Sequence, residues 1–571
     1  MISPSRRNIL FTGILWLLPL SFLATFYFYP LASILSISLA RLNENGVTLL
    51  LQSIISPSIL RILGFTFGQA ALSTLLTLAL GIPGAYLLAR YQFRGKSLLQ
   101  ALMGIPFVMP TLVVGAAFNA LLGSRGWINL GLMELFDLAT PPIQFTNTLI
   151  AILVAHTFYN TTIILRMVGD FWSHIDPRLE QAARLLGASR WQALRQITLP
   201  LLLPAISAAA LLVFIFDFTS FGVILVLGGP HFATLEVEIY YQTVGLFNLP
   251  LAAILALIQL ACTLGMTILY TRLISRLTIP LSLRPQRYTQ RKLLSLRSRI
   301  FAAVMIVILT TFLTLPLAAL AFRSVTRLEP DRGQRSAQTG FPLDFYRELN
   351  VNRRQSIFYA PPVSSIGLSL GYAGMTAVFT LLLGLPSAYA LMRDSTSRLN
   401  RLLDPLLMLP LGTSAVTLGL GFIVALDRPP LDLRASWLLI PLAHTLVAYP
   451  FVVRSLAPAL RSIRPRMRQA GAVLGASPLL VFFKIDLPLV GRAIIVAATF
   501  AFTISLGEFG ATALIARPEF PTLPIAIYRF ISQPGALNYG QALALSTLLM
   551  LITATGMFAI ERFRIAEVGE F

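Results

Sequence analysis

Asp217 in "FDFTSFG" and Glu508 in "SLGEFGAT" are carboxylates set inside long apolar stretches of a 571-residue chain. An acid in such surroundings costs about 2.5 to 3.5 kcal/mol on translocon scales, so each marks either a pathway or a paired buried site. An offset of 288 residues places Ser220 opposite Glu508, and Phe221-Gly222 opposite Phe509-Gly510. Two readings stand side by side. In one, Asp217, Ser220, Phe221, Glu508 and Phe509 line or gate a translocation pathway. In the other, the acids hydrogen-bond to neighbouring helices and fix their packing. Gly222 and Gly510 read as close-packing positions in either case.

The remaining reactive side chains form no catalytic set. The four histidines, His156, His174, His231 and His444, lack metal-ligand spacing, and His156 and His444 are equivalent at the same offset, which favours helix packing. The Gly95-Lys96-Ser97 triplet has Arg90 where a phosphate-binding loop needs its first glycine, so no nucleotide site is expected. Cys262 is the single cysteine. No catalytic residue and no metal site are expected.

Two partly polar inserts repeat at that offset. "QAARLLGASRWQALRQITLP" spans residues 181–200 and "QAGAVLGASPLLVFFKIDLP" spans 469–488. In the first, Leu179, Ala182, Ala183 and Leu186 share one helical face. Gly187 supplies a helix end, and Ser189 with Gln192 has capping-box spacing for a second helix. The second copy restarts differently, with Pro478 after Ser477. Each insert is expected to end at Leu-Pro, where the next span begins. One such helix pair fits a lipid interface. A duplicated pair also fits a matched set of docking surfaces for a two-fold symmetric cytoplasmic partner.

These residues must be positioned by membrane spans. The chain is 56% hydrophobic and 12% charged, with a mean hydropathy of +0.77. An apolar helix crosses a bilayer in roughly 20 residues. Twelve spans are expected near 9–39, 63–89, 99–122, 146–169, 200–227, 248–275, 300–322, 366–392, 402–426, 436–460, 489–515 and 538–561. The net charge of +21 gathers at every second connection, including Arg6-Arg7, Arg90 to Lys96, Arg178 to Arg195 and Arg461 to Arg468. That alternation points to the positive-inside rule rather than to nucleic acid, and places both termini in the cytoplasm. The arginine-rich loop at 323–365 runs against it, but a loop that long influences orientation less. "SRRNIL" near the start reads as the anchor of a first span rather than a cleaved signal.

"AHTFYNTTIILR" (155–166) matches "AHTLVAYPFVVR" (443–454), and "GIPGAYLLAR" (81–90) matches "GLPSAYALMR" (384–393) at an offset of 303. The chain is thus two homologous halves, 1–275 and 300–571, joined by a basic linker at 276–299. Six spans in each half make them parallel repeats.

The spacing Gln181-Ala182-Ala183, Gly187, Ile197, Leu199-Pro200 resembles the cytoplasmic EAA loop of binding-protein-dependent ABC importer permeases, and Gln469-Ala470-Gly471, Gly475, Ile485, Leu487-Pro488 repeats it. The resemblance implies the all-α type I permease fold, with loops 170–199 and 461–488 carrying coupling helices. It assigns ATPase coupling to Gln181, Ala182, Ala183, Gly187, Ala188 and Ser189, and to Gln469, Ala470, Gly471, Gly475, Ala476 and Ser477. It also implies two cytoplasmic ABC ATPase subunits holding the ATP and Mg, an extracytoplasmic substrate-binding protein, and residence in a bacterial inner membrane. This chain would bind no cofactor itself. Gln replaces the family's first Glu in both copies and Gly471 replaces an Ala, so docking by shape and apolar contact is expected. Glu180 stands one residue before Gln181, and Arg468 holds its place in the second copy.

"LGGPHFATLEVEIYYQ" (227–242) resembles a segment of thiamine importer permeases, while "GEFGAT" (507–512) also occurs in relatives carrying iron(III) or oxyanions. Thiamine or a related cation is the first expected cargo and iron(III) the alternative. Glu236, Glu238 and Tyr240 are candidates to face an arriving cation, with a solvated outer loop as the plainer reading. The rival from another class is an ion-coupled secondary transporter with Asp217 and Glu508 as coupling acids.

Overall fold

A computed structural model describes residues 4–40, 56–229, 231–277, 289–326, 343–351, 361–393, 398–427, 429 and 431–563. The linker prolines Pro280 and Pro285, and the terminal Arg564, lie outside the described residues. The helices used below are α1 (Pro4–Leu23), α2 (Pro57–Arg90), α3 (Leu149–His174), α4 (Pro177–Leu185), α5 (Arg190–Ala193), α6 (Leu199–Phe218), α7 (Leu235–Tyr240) and α8 (Leu296–Ser324). The second half adds α9 (Pro362–Arg393), α10 (Leu439–Arg461), α11 (Pro465–Val473), α12 (Pro478–Val481), α13 (Gly491–Gly507) and α14 (Leu523–Ile531).

Among the described residues, nine helices are long and apolar enough to cross a membrane, and three bent helix pairs raise the number to 12. The expected spans 99–122 and 402–426 are not straight. They bend by 106° and 95°, beside Pro106 and Pro110 in one and Pro405 and Pro410 in the other. A proline ring clashes with the carbonyl four residues back and lacks a donor, which is reason enough for the break. The expected spans 200–227 and 489–515 are also interrupted. Helix α6 stops at Phe218 and α13 at Gly507, and the short helices Gly222–Leu227 and Gly510–Ile515 follow.

The first insert does not end at Leu-Pro as expected, whereas the second breaks at Val490, just past Leu487-Pro488, where the next span begins after a bend of 73°. Single π-helical turns, Leu194–Thr198 and Phe482–Asp486, carry each second insert helix directly into Leu199-Pro200 and Leu487-Pro488. A third, Ala24–Phe28, precedes Tyr29-Pro30 in the same way. Widening the turn by one residue moves the preceding carbonyls away from the proline ring, so the helix survives the proline.

The chain packs as two compact units, and these are not the two sequence halves. One unit joins 1–51, 238–260 and 343–571, and the other joins 52–237 and 261–342. In the first unit α9, α10 and α13 pack around Ala388, Val452, Leu456, Ala497 and Ala501. Helix α1 lies against α9, and the Tyr27 and Thr413 hydroxyls are 2.7 Å apart. In the second unit α2, α3 and α6 pack around Ala85, Ile164, Val168, Trp172, Ala209 and Val213. Helix α8 joins them through Tyr86 and Phe301, whose rings are 5.9 Å apart. Thus the first span of each half packs into the unit built mostly from the other.

The repeat extends to the tightest contacts. A Cβ on Gly81 would lie 2.6 Å from Ile164, and one on Gly384 would lie 2.7 Å from Val452. These are equivalent pairs, Gly81 with Gly384 and Ile164 with Val452. In both units a glycine lets a β-branched side chain seat against the neighbouring backbone.

Candidate functional site: buried histidine clusters and two exposed helical turns

The unwound residues between α6 and Gly222, and between α13 and Gly510, place the two acids at helix ends, where backbone groups need partners. Asp217 occupies the last turn of α6. Its Oδ1 accepts from Asn160 Nδ2 at 2.6 Å, and its backbone carbonyl accepts from Gln69 Nε2 at 2.8 Å. Glu508 follows α13 and spans the break with its side chain. It accepts from the backbone N–H of Ala511 at 2.8 Å and of Thr512 at 3.1 Å, and from the Thr512 hydroxyl at 2.5 Å. Both acids are almost fully buried, at 1% and 7% exposure.

A histidine completes each cluster. His156 Nδ1 lies 3.1 Å from Ser73 Oγ and 3.4 Å from Asp217 Oδ1, and its Nε2 lies 2.8 Å from Ser220 Oγ. His444 Nδ1 lies 2.7 Å from Ser505 Oγ, which donates to Thr376 Oγ1 at 3.2 Å. Its Nε2 lies 2.8 Å from Thr512 Oγ1 and 3.2 Å from Glu508 Oε2. Ser73 and Thr376 are equivalent at the 303 offset; Asp217 and Ser505, and Ser220 and Glu508, at the 288 offset. Both rings therefore point the same nitrogens at the same positions, while acid and hydroxyl have changed places. The ring nitrogen that faces the acid is thus Nδ1 in the first half and Nε2 in the second.

Phe221 and Phe509 are buried beside these breaks, and Ser220 is half-buried. Gly510 is a close-packing position, since a Cβ there would lie 3.0 Å from the Ala415 methyl. His174 instead bonds its own helix, with Nδ1 2.7 Å from the Asp170 carbonyl oxygen, and His231 is exposed.

Each insert is a helix, a tight turn and a second short helix. Gly187 and Gly475 adopt φ of +94° and +81°, the left-handed conformation that favours glycine. Six-residue closures follow in both, from Ala188 N–H to the Ala183 carbonyl and from Ala476 N–H to the Gly471 carbonyl, each 3.0 Å. The expected capping box is present: Ser189 Oγ accepts from Gln192 N–H at 3.2 Å, and Gln192 Oε1 accepts from Ser189 N–H at 2.8 Å. In the second copy Ser477 caps Leu480 N–H at 3.3 Å with Pro478 in the first turn.

The turns present apolar side chains to solvent. Leu185 and Leu186 are each 89% exposed, and their equivalents Val473 and Leu474 are each 87% exposed. Gln181 and Gln469 are exposed and make no side-chain hydrogen bond among the described residues, and Ala182 and Ala470 are exposed beside them. The face of Leu179, Ala182 and Leu186 is thus open, and only Ala183 is partly covered. Gly471 has a direct steric reason. A Cβ there would lie 3.0 Å from Ile485 Cδ1 and 3.3 Å from Val481 Cγ2, whereas the first copy pairs Ala183 with the smaller Ala193. Arg468, in the place of Glu180, donates to the buried Asp486 at 2.7 Å and to the Leu460 carbonyl at 3.0 Å, tying α11 to the π turn. Glu180 instead lies in the field of the Arg90 guanidinium.

The candidates for an arriving cation stand on a helix rather than a loop. Glu236 on α7 is buried, and Glu238 accepts from Gln242 Nε2 at 2.6 Å. Burial, with Tyr528 of α14 beside it, pushes the Tyr240 hydroxyl up to about 12.

Sequence reasoning did not find Ser73, Asn160, Thr376, Ser505 and Thr512 as members of the histidine clusters. The 288 offset held a signal for one of them, because it sets Ser505 against Asp217. Nor did it single out Leu185 and Val473, although the same offset pairs them.

Residues 81–279 match the family described as binding-protein-dependent transport system inner membrane component. The chain is 28% identical over 499 residues to the thiamine transport system permease protein ThiP of Escherichia coli, covering 86% of this chain and 87% of that protein. It is 28% identical over 510 residues to ThiP of Brucella abortus, covering 88% and 87%. It is 26% identical over 513 residues to a probable ABC transporter permease, y4fN, of Sinorhizobium fredii, covering 88% of each. Residues 81–279 thus carry a binding-protein-dependent transport system inner membrane component domain, and the chain is similar over 86% of its length to a two-half ABC importer permease.

Proposed function

We propose that this chain forms the translocation pathway of an ATP-driven importer for thiamine or a related organic cation. Two separate ATPase subunits seat against the inserts, and a binding protein on the opposite side delivers the cargo. The chain lies in the bacterial inner membrane with both termini and both inserts cytoplasmic. The observation that carries the coupling role is the duplicated apolar turn: Leu185-Leu186 and Val473-Leu474 protrude at equivalent positions on rigidly capped turns. Leaving four large aliphatic side chains in water costs roughly 1.5 to 3 kcal/mol each, a cost that a partner's cleft removes. Names of relatives similar over most of their length support thiamine over iron(III).

Asp217 and Glu508 are assigned to holding the helix breaks together rather than to lining the pathway, because their oxygens accept from neighbouring helices and from the restarting backbone. The breaks they hold, with Phe221 and Phe509 at their ends, are the elements that move when the pathway opens. The cargo is tested by reconstituting the chain with its ATPase and binding protein in proteoliposomes. Saturable ATP-dependent uptake of thiamine, and none of iron(III), is expected. Uptake of iron(III) alone would replace the cargo.

A further inference from the structure

We propose that the segment joining the two halves braces the first insert, with Thr289 as the positioning residue that fixes how α4 leaves α3. This rests on the reading above that the inserts carry nucleotide state.

Only Ile175 and Asp176 separate α3 from α4, so any tilt of the insert against the span is taken up at those two residues. The last carbonyls of a helix have no partner within it. Here two outside donors hold them. The Thr289 hydroxyl donates to the Ser173 carbonyl at 2.6 Å, and Arg90 Nη1 donates to the Ile175 carbonyl at 3.2 Å. Both donors are buried, where a lost bond is not replaced by one to water.

The donors are themselves tied together. Arg90 is followed at once by a two-residue strand, β1 (Tyr91–Gln92), which pairs in parallel with β2 (Arg291–Lys292), two residues past Thr289. The Tyr86 ring lies 5.7 Å from that of Tyr91 and 5.1 Å from that of Trp172 on α3. Beyond β2, Arg299 Nε donates to the Leu293 carbonyl at 3.2 Å, and Ser295 caps α8. Residues 289–299 are thus pinned to α2, α3 and α8 together, all within one compact unit. A tether that merely joined two halves would need none of these bonds.

The second insert is held by another device. Arg468 of α11 reaches back to the Leu460 carbonyl in the last turn of α10 while it also bonds Asp486. At the 288 offset Leu460 corresponds to Trp172, Arg468 to Glu180 and Asp486 to Thr198. The first insert therefore lacks the arginine and the acid that make this brace. The same helix end is secured from within the insert in one half and from the joining segment in the other. A coupling element has to move its span without bending at its root. Without the Thr289 hydroxyl, α4 swings about Ile175-Asp176, and hydrolysis proceeds with less movement of the spans.

The test uses two arms. In nanodiscs, the full chain with Cys262→Ser carries nitroxides on Leu98→Cys and Leu186→Cys, or on Leu402→Cys and Leu474→Cys, and pulsed EPR gives the distance distribution of each pair. In proteoliposomes holding the ATPase and binding protein, the unlabelled chain is assayed for thiamine uptake per ATP hydrolysed. Thr289→Val keeps the shape and loses the hydroxyl. It should broaden the first distribution about twofold, leave the second unchanged, and lower uptake per ATP about threefold, the scale of one buried hydrogen bond. Thr289→Ser, which keeps the hydroxyl, should match wild type in both arms. A wild-type width for the first pair in Thr289→Val overturns the brace, as does equal broadening of both pairs, which marks general loosening. So does unchanged uptake per ATP, or a loss in Thr289→Ser as large as in Thr289→Val. Thiamine uptake by the wild-type system that needs no ATP would instead sink the coupling reading, while the EPR arm still decides whether the joining segment holds the insert.

Discussion

His156 and His444 hold three helices apiece with the acid on opposite sides of the ring. In the first half Asp217 stands beside Nδ1 and Ser220 beside Nε2; in the second half Ser505 stands beside Nδ1 and Glu508 beside Nε2. What the repeat preserves is one buried acid per histidine, not the acid's position. This predicts a repair. Asp217→Ser takes the acceptor from the Asn160 amide, costing about 1 to 3 kcal/mol, read as a lower melting temperature of the purified chain. Adding Ser220→Glu and Asn160→Ala copies the second-half arrangement and should recover at least half of the loss. A triple variant no more stable than Asp217→Ser would show that the exchange is incidental. The two acids were legible in the sequence as costly groups in apolar spans. Their partners were not, because Ser73 and Thr376 lie on another helix and nothing local sets them apart from ordinary span residues.

At the scale of elements, each insert owes its shape to one glycine and one cap. Neither Gly187 nor Gly475 has any atom within 4 Å of the place a Cβ would take, so their requirement for glycine comes from the backbone alone. Gly187→Ala is therefore expected to cost roughly 1 to 2 kcal/mol of local turn stability, and Gly187→Asn less, since asparagine tolerates the left-handed region better. Amide hydrogen exchange across 181–193 should rise in that order; equal protection in all three proteins would contradict the account. This much was legible, because Gly, Ser-x-x-Gln and Ser-Pro are local signals. The continuation into the next span was not. Leu-Pro reads as a boundary by the ordinary rule, and the second copy does break at Val490, yet in the first a π turn absorbs the proline and keeps the helix whole. The bends at Pro106 to Pro110 and Pro405 to Pro410 were missed for the opposite reason, since mean hydropathy sees an unbroken apolar run where proline chemistry breaks it.

For the whole molecule, the repeat offset carried most of the fold: two families of helices, matched glycine contacts, and inserts in register. The exchange of first spans did not show in it. Nothing in the residues of the first span says that Tyr27, in the π turn Ala24–Phe28, reaches Thr413 rather than a partner in its own half, because that choice is made by packing at long range. The central claim is that the inserts transmit nucleotide state to this bundle, and binding-protein-stimulated ATP hydrolysis in proteoliposomes measures it most directly. Substituting Leu185 and Leu186 together by Glu, or Val473 and Leu474 together by Glu, places charge on the apolar turn of one insert. Either pair should lower stimulated hydrolysis and thiamine uptake at least about tenfold, the scale of losing a buried anchor, with membrane insertion unchanged. Wild-type hydrolysis and uptake in both paired variants would contradict it.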